Sequence, residues 1–285
     1  MDTPGRLPTL VALAFVAIHT GCTDVGAGSG DAIVSVVASQ RIRAMTYSSR
    51  RPPDPGTLED LHELGVSHIA LIPFGYQRTF SSPNVRFNPN QRWFTESDSG
   101  ITDVAIKARA LGMGTVLKPH IWVGRHSTNG QQRDQIGFET EDKWLQWESE
   151  YRRFILHYAG LAETIQADIF VVGTELATAA RLRPDFWRSV IKEIRTRYQG
   201  KLTYAANWYR EFEDIQFWSE LDFVGVQAYF PLSDQAGPPA SALRKGWATH
   251  IDKLAAISRS AGRPVLFTEI GYRSIADAAV EPWKW

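Results

Sequence analysis

The chain has 285 residues, and its 31 basic and 31 acidic side chains give a formal net charge of zero. This balance argues against nucleic acid or an acidic polymer as partner, because phosphate binding needs a surplus of Lys and Arg on one face. The single cysteine excludes an internal disulfide and a thiolate metal cage. The length leaves two possibilities, which are two small domains or one α/β barrel.

Residues 1–21 are predicted to be an export signal. Residues 10–18 form an uninterrupted apolar run, which is shorter than the roughly 20 residues of a membrane-spanning helix but suits a signal peptide. Arg6 lies before this run, and the only cysteine, Cys22, closes the segment His-Thr-Gly-Cys directly after it. This segment resembles a bacterial lipobox, although His19 stands where an aliphatic residue is usual. We therefore predict an exported lipoprotein, periplasmic or at the cell surface and anchored through a lipid on Cys22, with plain secretion as the alternative.

Residues 22–40 are predicted to be a flexible tether, because the segment 25–31 is rich in Gly, Ser and Ala. The tether contains one short strand-like run at residues 32–37. Residues 41–285 are predicted to form a single domain.

Strand-like and helix-like segments alternate along this domain. The predicted strands are residues 43–47, 68–74, 115–120, 168–172, 202–206, 222–228 and 264–268. The predicted helices are residues 57–64, with Thr57 as the N-cap, 101–111, 141–162, 184–198 and 247–260. Four of them end at Gly65, Gly112, Gly200 and Gly262. On the helix 141–162 the aromatic residues recur every three or four positions, which predicts a packing role for most of them.

Alternating strands and helices predict parallel strands with crossover connections. No glycine-rich nucleotide-binding fingerprint follows any strand, which favours a (β/α)8 barrel of the TIM type over a doubly wound sheet. The count stops at seven strands, so the last helix and an eighth strand of the barrel are expected to be missing. Strands one and seven would then have unpaired edges. Either the chain is truncated, which we favour, or the run 32–37 fills the gap.

Two glutamates stand directly after apolar strands, at the barrel end where reacting groups lie. They are Glu175 after the fourth strand and Glu269 after the seventh. Each alone could be a salt-bridge partner, but both are accompanied by polar and aromatic residues that also follow strands. The candidate substrate-binding residues at these ends are Tyr47, Lys118, His120, Trp122, Asn207, Trp208 and Tyr229.

Paired carboxylates flanking one bond are what glycoside hydrolysis requires. One donates a proton to the leaving oxygen and the other is ionised. A separation of about 5–5.5 Å would give retention through a covalent intermediate, and about 6.5–9.5 Å would give inversion. Exposed Trp and Tyr rings suit the apolar faces of sugars.

Five segments resemble Glycoside Hydrolase Family 113, in the order that the family has them. They are Ile-Pro-Phe-Gly-Tyr-Gln at 72–77, Lys-Pro-His-Ile-Trp at 118–122, Gly-Thr-Glu-Leu at 173–176, Ala-Tyr-Phe-Pro at 228–231 and Thr-Glu-Ile-Gly-Tyr at 268–272. This resemblance implies a retaining β-mannanase of clan A that acts on a polysaccharide or oligosaccharide without a cofactor or metal.

The resemblance also implies roles for single residues. Glu175 would be the acid/base and Glu269 the nucleophile, and Tyr229 would hydrogen-bond the nucleophile. The residues expected to line the glycone subsite are Lys118, His120, Asn207 and Trp208. Thr174 stands where most of the clan has an Asn that binds the sugar 2-hydroxyl, and Asn207 is a candidate to replace that contact.

Several alternatives stay open. A barrel that binds carbohydrate without turnover would keep the same residues. A metal hydrolase built on His120 and the two glutamates is disfavoured, because no close pair of histidines is present. The polar loop 124–130 could bind substrate or be a solvated connection. Trp93 and Phe94 could be distant sugar platforms or a local hydrophobic cluster.

Overall fold

The computed structural model describes residues 41–124 and 132–284, together with the backbone of a short strand β1 (Val16–Ile18). The further strands are β2 (Ala44–Thr46), β3 (His68–Leu71), β4 (Phe74–Gln77), β5 (Gly114–Leu117), β6 (His120–Val123), β7 (Ile169–Thr174), β8 (Lys201–Asn207), β9 (Val224–Gln227) and β10 (Val265–Glu269). The α-helices are α1 (Thr57–Glu63), α2 (Asp98–Ala110), α3 (Glu141–Thr164), α4 (Ala177–Leu182), α5 (Pro184–Arg195), α6 (Glu211–Asp214) and α7 (Ala240–Ala261). Short 3₁₀ helices span Phe94–Glu96, Gln132–Gln135 and Trp218–Glu220.

Seven parallel strands form the main sheet, in the order β2-β3-β5-β7-β8-β9-β10. They correspond to the seven predicted strands, and helices alternate with them along the chain. Beyond β3 and β5 the chain continues as β4 and β6, which pair in parallel as a two-stranded extension. The predicted α/β fold of (β/α)8 type is therefore confirmed.

The outer edge of β10 is paired in the structure. β1 runs antiparallel to β10, with Val16 opposite Phe267 and Ile18 opposite Val265. This pairing differs from the expected unpaired edge of the seventh strand, and it provides partners for backbone groups that an edge strand leaves free. The strand-like run 32–37 and Cys22 lie outside the described residues, so export and lipidation stay predictions. None of the helices in the described ranges is long and apolar enough to cross a membrane.

Buried side chains divide between the two faces of the sheet. One cluster contains strand residues only and therefore lies on the face without helices, the barrel interior. Its members are Ala44, Ala70, Val116, Ile169, Val171, Ala205 and Leu266. A larger cluster, which we call the outer cluster, combines the alternate strand residues with residues of the helices. Because successive side chains of a strand point to opposite faces of the sheet, this alternation decides which residues near the strand ends face the barrel mouth.

The five predicted helices are present, and three of them start at a different residue from the predicted one. α1 begins at Thr57 itself rather than after it, because Gly56 turns the chain with a φ of 87°. α2 begins three residues early, since the Ser97 hydroxyl accepts a hydrogen bond from Gly100 N at 3.1 Å and caps the helix. α7 begins at Ala240, seven residues before the predicted start. The aromatic residues of α3 are buried and pack together, as predicted.

Candidate active site

Glu175 and Glu269 both follow an irregularity in their strands. The register of β7 against β8 shifts between Val171 and Thr174, and Glu175 itself has a left-handed φ of 53°. The register of β10 against β9 shifts between Phe267 and Glu269, which brings Glu269 opposite Gln227. Bulges next to active sites redirect side chains. Both carboxylates lie at the barrel mouth, Glu175 in a left-handed turn and Glu269 after a register shift.

Three polar residues reach the same mouth by simple alternation. Lys118 lies two residues after the interior residue Val116, and Asn207 lies two residues after the interior residue Ala205. Gln227 is opposite Asn207 in the pairing of β8 with β9. The interior face of the strands thus changes from small apolar side chains to polar ones at the carboxyl ends.

A chain of hydrogen bonds links the two carboxylates. The Gln227 amide nitrogen donates to Glu175 Oε1, and its amide oxygen accepts from Lys118 Nζ at 2.8 Å. Lys118 also forms an ion pair with Glu269 Oε1. One amide and one ammonium group, which lie at the ends of two further strands, therefore connect Glu175 to Glu269.

Glu269 has two charge-stabilising partners. Besides Lys118, the Tyr229 hydroxyl donates to Glu269 Oε2 at 3.0 Å. Burial, with the neighbouring Glu269 as the next cause, raises the pKa of Tyr229, so this hydroxyl keeps its proton and acts as a donor. Two donors, the Lys118 ammonium and the Tyr229 hydroxyl, therefore occupy the two oxygens of the Glu269 carboxylate. The hydrogen bond between Tyr229 and Glu269 agrees with the contact that the family resemblance implied.

Glu175 is paired with an arginine that the sequence reasoning missed. Arg133 Nε lies 2.8 Å from Glu175 Oε2, and Arg133 Nη1 donates to the Ile121 carbonyl at 3.2 Å. Arg133 belongs to a 3₁₀ turn in the loop after β6, where no strand end identifies it. Gln227 is the last residue of β9 and is not among the predicted site residues. Neither residue has a sequence signal that predicts its partner.

Burial lowers the pKa of two basic groups of the site, Lys118 and His120. Desolvation lowers the pKa of the Lys118 ammonium, and the contact with Glu269 opposes this change. Desolvation, with Arg133 and Lys118 as further causes, lowers the pKa of His120 well below its ordinary value. His120 is therefore a neutral imidazole at neutral pH, and its Nε2 has no hydrogen-bond partner within the described ranges. A buried ring nitrogen without a partner is suited to a substrate hydroxyl.

The remaining predicted binding residues lie in different surroundings. Trp208 stacks on Trp283, with 5.0 Å between the ring centroids. Asn207 lies beside Glu211, whose Oε2 accepts a hydrogen bond from the Asn207 backbone N–H at 2.7 Å. Trp122 is 43% exposed on the extension β4–β6. Tyr47 is buried in the outer cluster, and within the described residues it makes no hydrogen bond to either glutamate. The role of each in substrate binding stays a prediction.

The open alternatives receive partial answers. Arg50 lies 4.5 Å above the Trp93 ring, and Phe94 packs against the outer cluster, so both take part in local packing. Most of the loop 124–130 lies outside the described residues. Among the residues that are described, no group of three metal-ligating side chains lies together.

A second buried glutamate supports the turn that carries Glu175. The backbone N–H of Leu176 donates to the Tyr204 hydroxyl at 2.7 Å, and this hydroxyl donates to Glu211 Oε1. Glu211 Oε2 accepts from the backbone N–H of Asn207. Glu211 thus ties the end of β8 to the left-handed turn at Glu175. No sequence pattern indicated this residue, because it lies in a loop helix of four residues.

Burial raises the pKa of Glu211 from 4.5 to about 8. Between these values the folded protein holds a proton on Glu211 that the unfolded chain has released, so the stability from this group is lost as the pH rises. The free energy of unfolding of Glu211→Gln, relative to the wild type, is therefore expected to increase between about pH 5 and about pH 9. Urea denaturation across this range measures the difference. Glu213→Gln, at a more exposed position of the same helix, is the control, and a pH-independent difference for Glu211→Gln would contradict the prediction.

The fold and site together define a class of protein. Two carboxylates, joined through hydrogen bonds at the mouth of a (β/α)8-type barrel and accompanied by aromatic rings, are the arrangement of a glycoside hydrolase. The profile of Glycoside Hydrolase Family 113 matches residues 46–285, so the chain belongs to this family. The family resemblance seen in the sequence is confirmed.

Solved structures of the same family are similar to this chain. A GH113 β-1,4-mannanase has 26% sequence identity and a TM-score of 0.71, with 86% of this chain and 76% of that chain covered. The GH113 β-mannanase AaManA from Alicyclobacillus acidocaldarius, solved in complex with ManMIm, has the same identity and TM-score, with 86% and 75% covered. No match was found among curated proteins.

Proposed function

We propose that this chain is a retaining glycoside hydrolase that cleaves β-1,4-linked mannan. The main support for this proposal is the chain of contacts Glu175–Gln227–Lys118–Glu269, which connects two carboxylates at one end of the barrel. The similarity to two β-mannanases supports the choice of substrate. The enzyme class follows from the family, and the mannan substrate and the two residue roles are the proposal.

Glu269 acts as the nucleophile. Its ionised carboxylate, held by Lys118 and Tyr229, attacks the anomeric carbon and forms a glycosyl-enzyme ester as the bond to the leaving oxygen breaks. Glu175 gives its proton to that oxygen, so the leaving sugar departs as a neutral alcohol. The bond electrons remain on the oxygen, and no further reactant is needed.

Glu175 then acts as the base. It takes a proton from a water molecule, whose oxygen attacks the anomeric carbon and releases Glu269. Arg133 holds the Glu175 carboxyl group in place for this second step through the contact between Arg133 Nε and Glu175 Oε2. For the first step, Glu175 must hold a proton, and a sugar that enters between Glu175 and Gln227 would replace the amide contact now made there.

Hydrolysis of linear β-1,4-mannan tests the proposal. The wild-type protein is expected to release reducing sugar from mannan faster than from cellulose or xylan, and proton NMR should show the β-anomer first. The variant Glu175→Gln should lose most activity on mannan but far less on a dinitrophenyl β-mannoside, whose leaving group needs no proton. The first product being the α-anomer would contradict retention, and sugar binding without turnover would contradict hydrolysis.

A further inference from the structure

The extension formed by β4 and β6 has a third, strand-like neighbour. Arg86 lies opposite Tyr76 in an antiparallel bridge, in which each backbone N–H donates to the carbonyl of the other residue at 2.6 and 2.9 Å. On its other side, Tyr76 lies opposite Trp122 in the pairing of β4 with β6. Residues directly opposite each other in a sheet project from the same face. Trp122, Tyr76 and Arg86 therefore form one row across the extension.

This row points away from the core. Gln77, Val85 and Val123, each next in sequence to a residue of the row, are buried. Since successive side chains of a strand point to opposite faces, the row itself lies on the outward face, and Tyr76 is 39% exposed. Arg78, two residues after Tyr76, continues this outward face. The strand pairing therefore places two aromatic rings and two arginines on one surface.

The outward face borders a cavity of about 490 Å³, which lies within the range of small-molecule sites, roughly 300–1,000 Å³. The catalytic steps do not use this cavity. The described lining contains two guanidinium groups and no carboxylate, and it includes Tyr76, Arg78, Ser82, Asn84, Arg86 and Trp122.

The two guanidinium groups are available to a ligand. Across residues 41–124 and 132–284, neither the Arg78 nor the Arg86 side chain is paired with a carboxylate. Glu96 accepts a hydrogen bond from the Tyr76 hydroxyl at 2.9 Å and fixes this ring, but Glu96 is buried and is not part of the lining. A guanidinium presents its N–H groups as a planar fork that matches the two oxygens of a carboxylate. The cavity is therefore suited to an anionic group.

The cavity is continuous with the active site along β6. His120 and Trp122 lie on the same face of this strand, two residues and about 7 Å apart. The Phe74 ring contacts both, with ring centroids 5.6 Å from His120 and 5.9 Å from Trp122. A sugar chain bound at His120 can therefore continue over the Tyr76 and Trp122 rings, whose faces suit the apolar faces of sugars.

We infer that this cavity binds a carboxylate-bearing sugar unit of the substrate, with the Tyr76 and Trp122 rings against the sugar and the Arg78 and Arg86 guanidinium groups on its carboxylate. The inference rests on the proposed function and adds to it a preference for mannan that carries acidic units. The chain has a net charge of zero, so this preference would come from the cavity and not from a general attraction for acidic polymers.

Two polymers test this preference, linear β-1,4-mannan and the same mannan sparsely oxidised at C6 to mannuronic acid units. At low ionic strength the wild-type kcat/KM is expected to be higher on the oxidised polymer, and added salt should reduce the difference by screening the charges. Arg78→Gln and Arg86→Gln should each lower the ratio of the two kcat/KM values about fivefold, mainly through KM on the oxidised polymer. The kcat/KM on neutral mannan should stay at the wild-type value in both variants.

Arg197→Gln is the matched control. It removes the same charge from an exposed ion pair with Glu193, outside the cavity lining, so the ratio should not change. A wild-type protein without preference for the oxidised polymer would overturn the inference while leaving the proposed function intact. An unchanged ratio in both cavity variants, or equal losses on the two polymers, would overturn it in the same way.

A wild-type protein inactive on both polymers would overturn the proposed function instead. Calorimetry with the same two polymers then tests the cavity separately. Tighter binding of the oxidised polymer, lost in Arg78→Gln and Arg86→Gln but kept in Arg197→Gln, would support recognition of the carboxylate. Equal affinity of the wild type for the two polymers would overturn it.

Discussion

Replacement of Glu269 by alanine is expected to lower kcat on mannan by about 10⁴-fold or more, because the carboxylate that forms the covalent intermediate is lost. The backbone around it should hold, since Glu269 is the last residue of β10 and pairs with β9 through its main chain. The loss is therefore expected in kcat and not in the free energy of unfolding.

Azide distinguishes loss of the nucleophile from general damage. In Glu269→Ala, azide can occupy the vacated space and attack the anomeric carbon directly, so activity on an aryl β-mannoside should return and the product should be the α-mannosyl azide. Glu150→Ala, at an exposed ion pair with Arg153, should have wild-type kcat and no response to azide. An active Glu269→Ala enzyme, or rescue that yields the β-azide, would rule out Glu269 as nucleophile.

Replacement of Lys118 by methionine is expected to destabilise the protein and to lower its activity. Lys118 is 1% exposed, and its ammonium donates to Gln227, Glu269 and the Thr268 carbonyl. Methionine keeps the length of the side chain, but it leaves the buried Glu269 without its cation. Removal of one partner from a buried ion pair costs about 3–5 kcal/mol.

Urea denaturation and kcat on the same preparation measure both effects. The activity should fall as well, because the link between Gln227 and Glu269 is broken. Lys107→Met provides the matched control, since Lys107 forms an exposed pair with Asp103 four residues earlier and should cost at most about 0.5 kcal/mol. Equal stabilities of Lys118→Met and Lys107→Met would show that the buried pair contributes nothing to folding.

Much of the fold could be predicted because its signals are local. Apolar runs, helix-ending glycines and their alternation identified seven strands, and the structure contains seven parallel strands at those places. Helix starts were less accurate because caps depend on single contacts. Ser97 caps α2 through one hydrogen bond that no periodic pattern reports.

Which face of the sheet a given strand residue points to was harder to predict than the presence of the strand. Ala44 faces the barrel interior, so Tyr47, three residues later, has the opposite phase and packs in the outer cluster. Glu269 lies three residues after the interior residue Leu266, so it reaches the mouth only because the register shifts just before it. A shift by one residue moves a side chain to the other face, and the sequence does not mark where it occurs.

The sequence by itself determined the order of the elements, the family and the two glutamates, because each depends on residues that are adjacent in the chain. Only the tertiary structure decided which groups surround those glutamates. Arg133 meets Glu175 across 42 residues, and Lys118 meets Glu269 across 151 residues. Such contacts depend on how strands and loops are brought together in space, and hydrogen-bonding geometry then selects the partner. The same holds for Glu211, which no local pattern indicates and which meets Tyr204 and the backbone of Asn207.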